Sequence, residues 1–561
     1  MDTYGKPWLK QYPAGVAMDI DASAVPSLVA LMEAAFVRHV HRPAFRFMGR
    51  AMSYAALDAW SRDLAAWFCA RGLVPGDRIA VMLPNVPQYP VTVAAALRAG
   101  LVVVNVNPMY TPRELEHQLR DSGARAVVIL ENFAATLQVV LDRVPIPHVV
   151  VAATGDLLGW VQGRMVNHVV RRVRKLVPHW ELPAAVPFRM ALAAGRDLPL
   201  RVDEPGPDAI AVLQYTGGTT GVSKAAVLLH RHLVANVLQC EAWNGPAMSR
   251  LEQMSPGEQP VVVCALPLHH IFAFTCNLLL GMRMGACNIL IPNARDIGAL
   301  LKELSRQRFH SFPAVNTLFN AIVHHPDVDG VDWSGLLLSV GGGMAVQQTT
   351  ARLWLEKTGC TICEGYGLSE TSPSVTCNPT DTKAYGGTIG LPLPGTDVRL
   401  LDEDGQPAVP GQPGEIAVRG PQVMAGYWQR PDETAKVMTA DGYLRTGDIG
   451  TMDERGYFRV VDRKKDMILV SGFNVYPAEI EEVITQMPGV LECAAVGMPD
   501  AKAGEVVKAV VVKKEPSVTE GQIRAWCEAN LTGYKRPRVI EFRAELPKTA
   551  VGKVLRRELR G

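Results

Sequence analysis

"LQYTGGTTGVSKAA", residues 213–226, sets the direction for the whole chain. Small turn-formers follow one another here: Thr216, Gly217, Gly218, Thr219, Thr220 and Gly221, with Lys224 three residues on. Glycines let a backbone approach an anion closely, and threonine hydroxyls add donors to the backbone N–H groups. The P-loop pattern places a glycine directly before its lysine. Ser223 occupies that place instead. The stretch therefore reads as a phosphate-holding loop of a different kind, and the rest of the sequence must say which phosphate it holds.

The chain has 561 residues, too many for a single core, so two or three domains are expected. It is 48% hydrophobic and 20% charged, with a net charge of +2. That balance gives no reason to expect a nucleic-acid partner. Ten cysteines are scattered, and only Cys360 and Cys363 form a CxxC, with no second pair to complete a zinc site. Free, mostly buried thiols in a reducing compartment are expected. The N-terminus lacks a charged-then-apolar signal pattern, and the longest apolar stretch, 79–106, is broken by Pro84, Pro87, Pro90 and Arg98. A cytoplasmic protein follows, with peripheral attachment to the inner face of a membrane as an added expectation.

Outward from the loop, apolar runs alternate with helical stretches. "DRIAVMLPN" (77–85), "LVVVNVNP" (101–108), "ARAVVIL" (124–130), "PVVVCALPL" (260–268) and "ACNILIP" (286–292) read as buried strands. Runs that do not alternate in polarity point to parallel sheets covered on both faces. From about residue 385 to 461, Gly/Pro-rich turns punctuate short strands, so this part reads as more antiparallel. "DRKKD", 462–466, marks a boundary, and 467–561 reads as a small α+β unit. Its tail from Leu531 carries nine Lys/Arg against three Glu. "GWVQGRMVNHVVRRVRKLVPHW", 159–180, has apolar residues at helical spacing and a basic face of Arg164, Arg171, Arg172, Arg174 and Lys175. That is the pattern of a helix resting on an anionic membrane surface.

Three further segments define the chemistry: "EGYGLSET" (364–371), "YLRTGD" (443–448) and "DRKKDMILVSGFNVYPAEIE" (462–481), followed by "PKTAVGKVLRREL" (547–559). With the opening loop, and in this order, they resemble the AMP-forming acyl-adenylate enzymes. The resemblance covers the chain from about residue 25 to its end, and "LPLHHIFAFT" (266–275) and "GKVLRREL" bring it nearest to the bacterial long-chain fatty acid–CoA ligases. It implies an α/β fold. A large N-terminal region, 1–461, would hold two packed parallel-rich αβαβα sheets and a small β-barrel-like part. A hinge at 462–466 and a mobile C-terminal α+β lid, 467–561, would follow.

The resemblance also implies roles. Tyr215, Thr216, Gly217, Gly218, Thr219, Thr220, Gly221 and Lys224 would enclose the β- and γ-phosphates of ATP, the pyrophosphate that leaves. Tyr366 would stack on adenine, Asp448 and Arg463 would hold the ribose, and Glu370 would hold Mg²⁺. Lys553 would reach the acyl carboxylate and the α-phosphate, lessening the repulsion between two anions. Lys465 would be the pivot, and the turn at Gly472 would replace Lys553 when coenzyme A enters. His270, Phe272 and Phe274 would line the acyl pocket, with Gly341, Gly342 and Gly343 leaving a slot open. For His269 and His270 the alternative is a hydrogen-bonded pair in a turn. Departures are small: Ser369, Ala225 and Gly217 stand where relatives often have Thr, Gly and Ser.

The expected reaction joins a fatty acid to CoA through an acyl-AMP, releasing AMP and pyrophosphate. Synthetases for medium-chain or aromatic acids remain alternatives, as does a fatty-acyl-AMP ligase serving a carrier protein. The uninterrupted "DRKKDMILVSGFNVYP" counts against the last. A catalytically dead binding module is opposed by the intact set Glu370, Asp448, Arg463 and Lys553. A homodimer is compatible with the sequence.

Overall fold

A computed structural model describes residues 5–216, 223–409, 411–463, 466–470, 473–500, 503–549 and 552–560. Gly217, Gly218, Thr219, Thr220, Gly221, Lys465 and Gly472 lie outside these residues.

Two large sheets form the frame. One has seven strands, with the parallel run His148–Ala152, Ala126–Leu130, Arg78–Met82, Val102–Asn105 and Ile210–Thr216 at its centre. Their Val/Ile/Ala content suits strands buried on both faces. The other has nine strands, with Cys287–Leu290, Val261–Cys264, Ser311–Ala314, Leu338–Gly341 and Ile362–Gly367 parallel in that order. The helix Gln88–Arg98 is buried on every side. Asn85, just before it, donates to the carbonyls of Cys264 and Leu266, and Tyr89 donates to Leu268 O. These bonds tie the end of a strand in one sheet to the end of a strand in the other. The helix's apolar run, 93–97, suits such an interior, and its buried polar residues are paired, Gln88 with Ala153 O, Thr92 with Gln88 O and Arg98 with Glu33 and Asp58.

Helix ends follow local chemistry. Thr111 and Glu114 form a reciprocal capping box before Pro112–Ser122, which stops at left-handed Gly123. Asp397–Leu401, Gly414–Arg419, Leu444–Met452 and Phe458–Arg463 form a four-stranded antiparallel sheet where a barrel-like part was expected. Beyond it, Phe473–Val475, Ile468–Val470, Gly504–Lys513, Val490–Asp500 and Val539–Arg543 make a small five-stranded sheet with its own core.

The 159–180 segment is helical over only part of its length. Trp160–His168 is α-helix, Val169–Val173 is one π-helical turn, and no helix continues. Lys175 has a left-handed backbone and Pro178 follows, which explains the stop. Gly163 packs directly on Gly155, where a Cβ at either would meet the other's carbonyl at 2.3 Å. The opposite side stays open: Trp160 is 67%, Val161 70% and Met165 60% exposed. Among the described residues, no helix is long and apolar enough to cross a membrane.

Candidate functional site

A cavity of about 1290 Å³ opens at the C-terminal ends of the parallel strands, the end at which open α/β sheets place their ligands. The hairpin of Ile210–Thr216 and Lys224–Leu229 forms one side, with Thr216 paired to Lys224 in register. Ser223 Oγ donates to Thr216 O, closing the base of the loop. Tyr215 lines the cavity, but its hydroxyl is committed to Asp121 Oδ2 at 2.7 Å. Asp121 in turn pairs with Arg430. Tyr215 thus anchors the hairpin, through Asp121 and Arg430, to the segment between the second and third antiparallel strands.

Lys224 forms an ion pair with Glu433 and lies 5.3 Å from the centre of the Tyr427 ring. The ammonium groups of Lys224 and then Lys436 hold the Glu433 carboxyl down to about 2. Tyr427 also donates to Glu370 Oε1 at 2.8 Å. One aromatic side chain therefore touches both the loop lysine and the candidate metal carboxylate. Sequence reasoning missed it; "GYW" at 426–428 offers no charge pattern to find it by.

Tyr366 and Asp448 meet across two sheets. The Tyr366 hydroxyl donates to Asp448 Oδ2 at 2.7 Å, and Arg463 Nε sits 3.0 Å from Oδ1. Asp448 and Arg463 are direct partners on neighbouring antiparallel strands. Burial, then the Asp448 charge, pushes the Tyr366 hydroxyl far up, so it stays a donor.

His269 and His270 both line the cavity and are not bonded to each other. His270 Nδ1 accepts the Phe272 N–H at the start of a helical turn. Burial, then Lys553, lowers His270 to about 4, and burial lowers His269 to about 3. Both imidazoles are neutral at neutral pH.

Lys553 lines the same cavity from the small C-terminal unit. Its backbone N–H donates to Thr549 Oγ1, and its carbonyl accepts the Thr549 N–H. Gly552 has φ +81°, and a Cβ there would meet Thr317 Oγ1 at 2.4 Å. Glycine is required for this turn to come so close to the large domain. Three residues on, Arg556 contacts Glu481, Asp462 and Asp466 at 2.8, 3.6 and 3.4 Å. It pins the Lys553 turn to the segment joining the two units. Nothing in its spacing marked it out beforehand.

The deep part of the cavity has a regular construction. One wall uses alternate residues of three strands and their extensions: Pro260, Val262 and Leu266; Ser311, Pro313 and Val315; Leu338, Val340 and Gly342. That is one face of a sheet. The other wall uses helical spacing, with Cys240, Asn244 and Met248, and with Phe272, Cys276, Leu280 and Met284. The six extended steps from Pro260 to Leu266, with strand over Val261–Cys264, give a depth of about 20 Å.

This construction corrects two expectations. Phe274 is buried in the core and Gly341 lies between Val346 and Ile362, so neither lines the cavity. The strand period sends position 341 to the sheet's other face. Phe272 and Gly342 do line it, and a Cβ at 342 would stand 3.0 Å from the Phe272 ring. Glycine there keeps the mouth open. Gly343 lines the cavity with φ +77°.

Buried neutral histidines link stability to pH. Burial lowers His232 to about 3, while the unfolded ring keeps its ordinary value of 6.5. Below 6.5 the unfolded chain binds a proton that the folded chain does not, so folding weakens as pH falls toward 3. The loss is up to about 1.4 kcal/mol per pH unit. Asp156, Asp462 and Glu364, which burial pushes up to about 6, 6 and 7, act in the opposite sense. The difference between the wild type and His232→Gln isolates the one group. In denaturant titrations at pH 7.5, 6.0 and 5.0, the wild type should lose stability relative to the variant only at the lower two. A constant difference would refute a neutral buried His232.

The AMP-binding enzyme family model matches residues 32–428, and that of the AMP-binding enzyme C-terminal domain matches 479–553. A long-chain-fatty-acid–CoA ligase of Escherichia coli O157:H7 is 52% identical, covering 99% of this chain and 98% of its own. One from Bacillus subtilis is 34% identical over 99% of this chain and 97% of its own. The crystal structure of ATP-bound MatB from Rhodopseudomonas palustris superposes with a TM-score of 0.81 at 30% identity, over 95% of this chain and 98% of that one. The chain belongs to the AMP-binding enzyme family.

Proposed function

We propose that this protein is a long-chain fatty acid–CoA ligase, working through an acyl-AMP. The observation that carries the proposal is a single cavity. It joins Thr216, Lys224, Glu370, Tyr366 and Lys553 at its mouth to a mostly apolar channel about 20 Å deep. Such a channel exceeds the roughly 15 Å that one acyl chain spans in half of a bilayer core. The near-full-length relatives carrying that name support the same substrate class.

ATP would enter with its phosphates at Thr216 and Lys224. Lys224 would exchange Glu433 for the β- and γ-phosphates. Tyr366 would lie against the adenine, its hydroxyl held by Asp448, while Asp448 and Arg463 face the ribose. The fatty acid would lie in the channel with its carboxylate toward His270 and Lys553. A carboxylate must then approach an α-phosphate, and Lys553 offsets the repulsion as charge builds between them. Neutral His270 can hydrogen-bond there without adding charge.

Glu370 suits Mg²⁺. It is one carboxylate beside the phosphate loop, and Mg²⁺ is commonly held by one or two carboxylates with substrate phosphates and water. When bound, the ion neutralises charge on the phosphates. Tyr427 would hold Glu370 in position. After pyrophosphate leaves, the small unit would turn about 462–466, taking Lys553 away and admitting the CoA thiol to the acyl carbonyl.

The exposed face of 160–176 supports peripheral contact with an anionic membrane. Trp160, Val161, Met165, Val173 and Leu176 are exposed beside Arg164, Arg172 and Arg174, and no acid lies between 157 and 180. Arg171 stands apart because it pairs with Glu131.

The decisive assay follows pyrophosphate, AMP and thioester from palmitate, ATP and Mg²⁺, with and without CoA. Thioester formed with AMP is expected; acyl-AMP without thioester would overturn the CoA assignment. Lys553→Ala should lower acyl-AMP formation by about a hundredfold or more and leave conversion of supplied acyl-AMP largely intact. Equal loss in both halves would refute its role. Tyr427→Phe should raise the Mg²⁺ concentration for half-maximal rate by about tenfold, with rescue at high Mg²⁺. An unchanged Mg²⁺ dependence would leave Tyr427 a packing residue. Replacing Arg164, Arg172 and Arg174 by Glu, with Trp160→Ser, should abolish co-sedimentation with phosphatidylglycerol vesicles without changing turnover of dispersed substrate. Undiminished co-sedimentation would refute the membrane role of this face.

A further inference from the structure

Three cysteines line the channel, Cys240, Cys276 and Cys377, and the proposed ligase chemistry uses none of them. All ten cysteines are free thiols. Cys240 and Cys276 stand out because they share a partner. Cys240 Sγ donates to Ser374 Oγ at 3.6 Å, and Cys276 Sγ lies 3.9 Å from the same oxygen. The two thiols are therefore gathered around one hydroxyl. They sit on different wall elements, Cys240 on the long helix His230–Met254 and Cys276 in the π-helical stretch Phe274–Leu279, and the two elements pack together. Cys276 is one turn deeper than Phe272 at the mouth, about 6 Å, and Met284 at the far end is two turns deeper again.

We infer that Cys240 and Cys276 form a redox-modifiable dithiol in the channel wall, which a peroxide converts to a disulfide that weakens binding of long acyl chains. The inference rests on reading this cavity as the acyl channel. The neighbouring Cys276 thiol, and then Ser374, hold the Cys240 thiol below its usual range against the opposing effect of burial, while Cys276 is held well above it. Cys240 is thus the nucleophile of the pair, since the thiolate is the reacting form. Cys240 loses its proton and attacks one peroxide oxygen. The O–O bond breaks, and hydroxide leaves with that proton as water. The Cys276 sulfur then attacks the sulfenic sulfur of Cys240. The S–O bond breaks, and the hydroxyl leaves with the Cys276 proton as a second water. Two electrons pass from the sulfurs to the peroxide. A disulfide draws the sulfurs to about 2.05 Å, fastening the helix to the π-helical stretch. An acyl chain reaching Met284 must pass this wall, and a shift of either element there narrows or reshapes the channel, which a close-packed surround cannot absorb. Reversible disulfides of this kind suit a reducing compartment, where those that form are transient.

The test uses the full-length protein treated with hydrogen peroxide and then quenched. Peptide mapping by mass spectrometry should find a Cys240–Cys276 link. The KM for palmitate should rise about tenfold, the effect of disturbing a methylene-sized contact, while the Kd for ATP stays constant. Dithiothreitol should reverse the change. Cys240→Ser and Cys276→Ala, each compared with its own untreated sample, should lose the peroxide response, and Cys377→Ser should keep it. A mapped link elsewhere, no link, or a link with unchanged palmitate KM would each overturn the inference. Mapping needs only the wild type, so a variant that fails to fold leaves the test standing. An untreated protein that ligates no palmitate would instead overturn the functional proposal, whatever the mapping shows.

Discussion

A buried carboxylate, Asp448, organises the site. It is only 5% exposed in its side chain and is held by Tyr366 from the nine-stranded sheet and Arg463 from the adjoining antiparallel strand. A charge so placed must be paired and hydrogen-bonded to be tolerated. Satisfying it aligns three things at once: the end of the strand Ile362–Gly367, the last antiparallel strand, and the start of the link to the small unit. The half of the cavity proposed for the nucleotide and the start of the link to the small unit are therefore fixed by the same pair of bonds.

A second constraint acts through cations. The proposed chemistry brings a carboxylate to a triphosphate, so positive charge must be delivered without blocking the approach. Lys224 comes from a hairpin and Lys553 from the small unit. Neither is left to solvent chance. Glu433 and the Tyr427 ring hold Lys224. Gly552, next to Lys553, packs against Val315 and Thr317, while Arg556 fastens that turn to Asp462, Asp466 and Glu481. Movement of the small unit would thus trade Arg556 contacts near the hinge together with Lys553, which couples the position of the cation to the state of the link.

The channel shows how two periodicities build one cavity. Positions two apart on the strands form one wall, and positions three to four apart on the helices form the other. Small residues are needed only where the walls meet at the mouth, at Gly342 opposite Phe272. The same geometry places Cys240 and Cys276 where a change of oxidation state would be felt by the acyl chain.

The sequence determined the strand content, the family motifs and the order in which they occur, because apolar runs, glycine turns and catalytic residue types are local properties. The strands around Val103, Val128 and Val263 could be read that way. Tertiary structure alone decided which residues face the channel. Phe274 and Gly341 lie in matching motifs, yet helical and strand periods turn them into the core. It alone brought Tyr427 to Glu370, Arg556 to Asp462, and Cys240 to Cys276, pairs separated by 57, 94 and 36 residues. It also cut the basic amphipathic stretch short after Val173. Such contacts depend on how sheets and helices pack, and no local pattern encodes packing between distant segments.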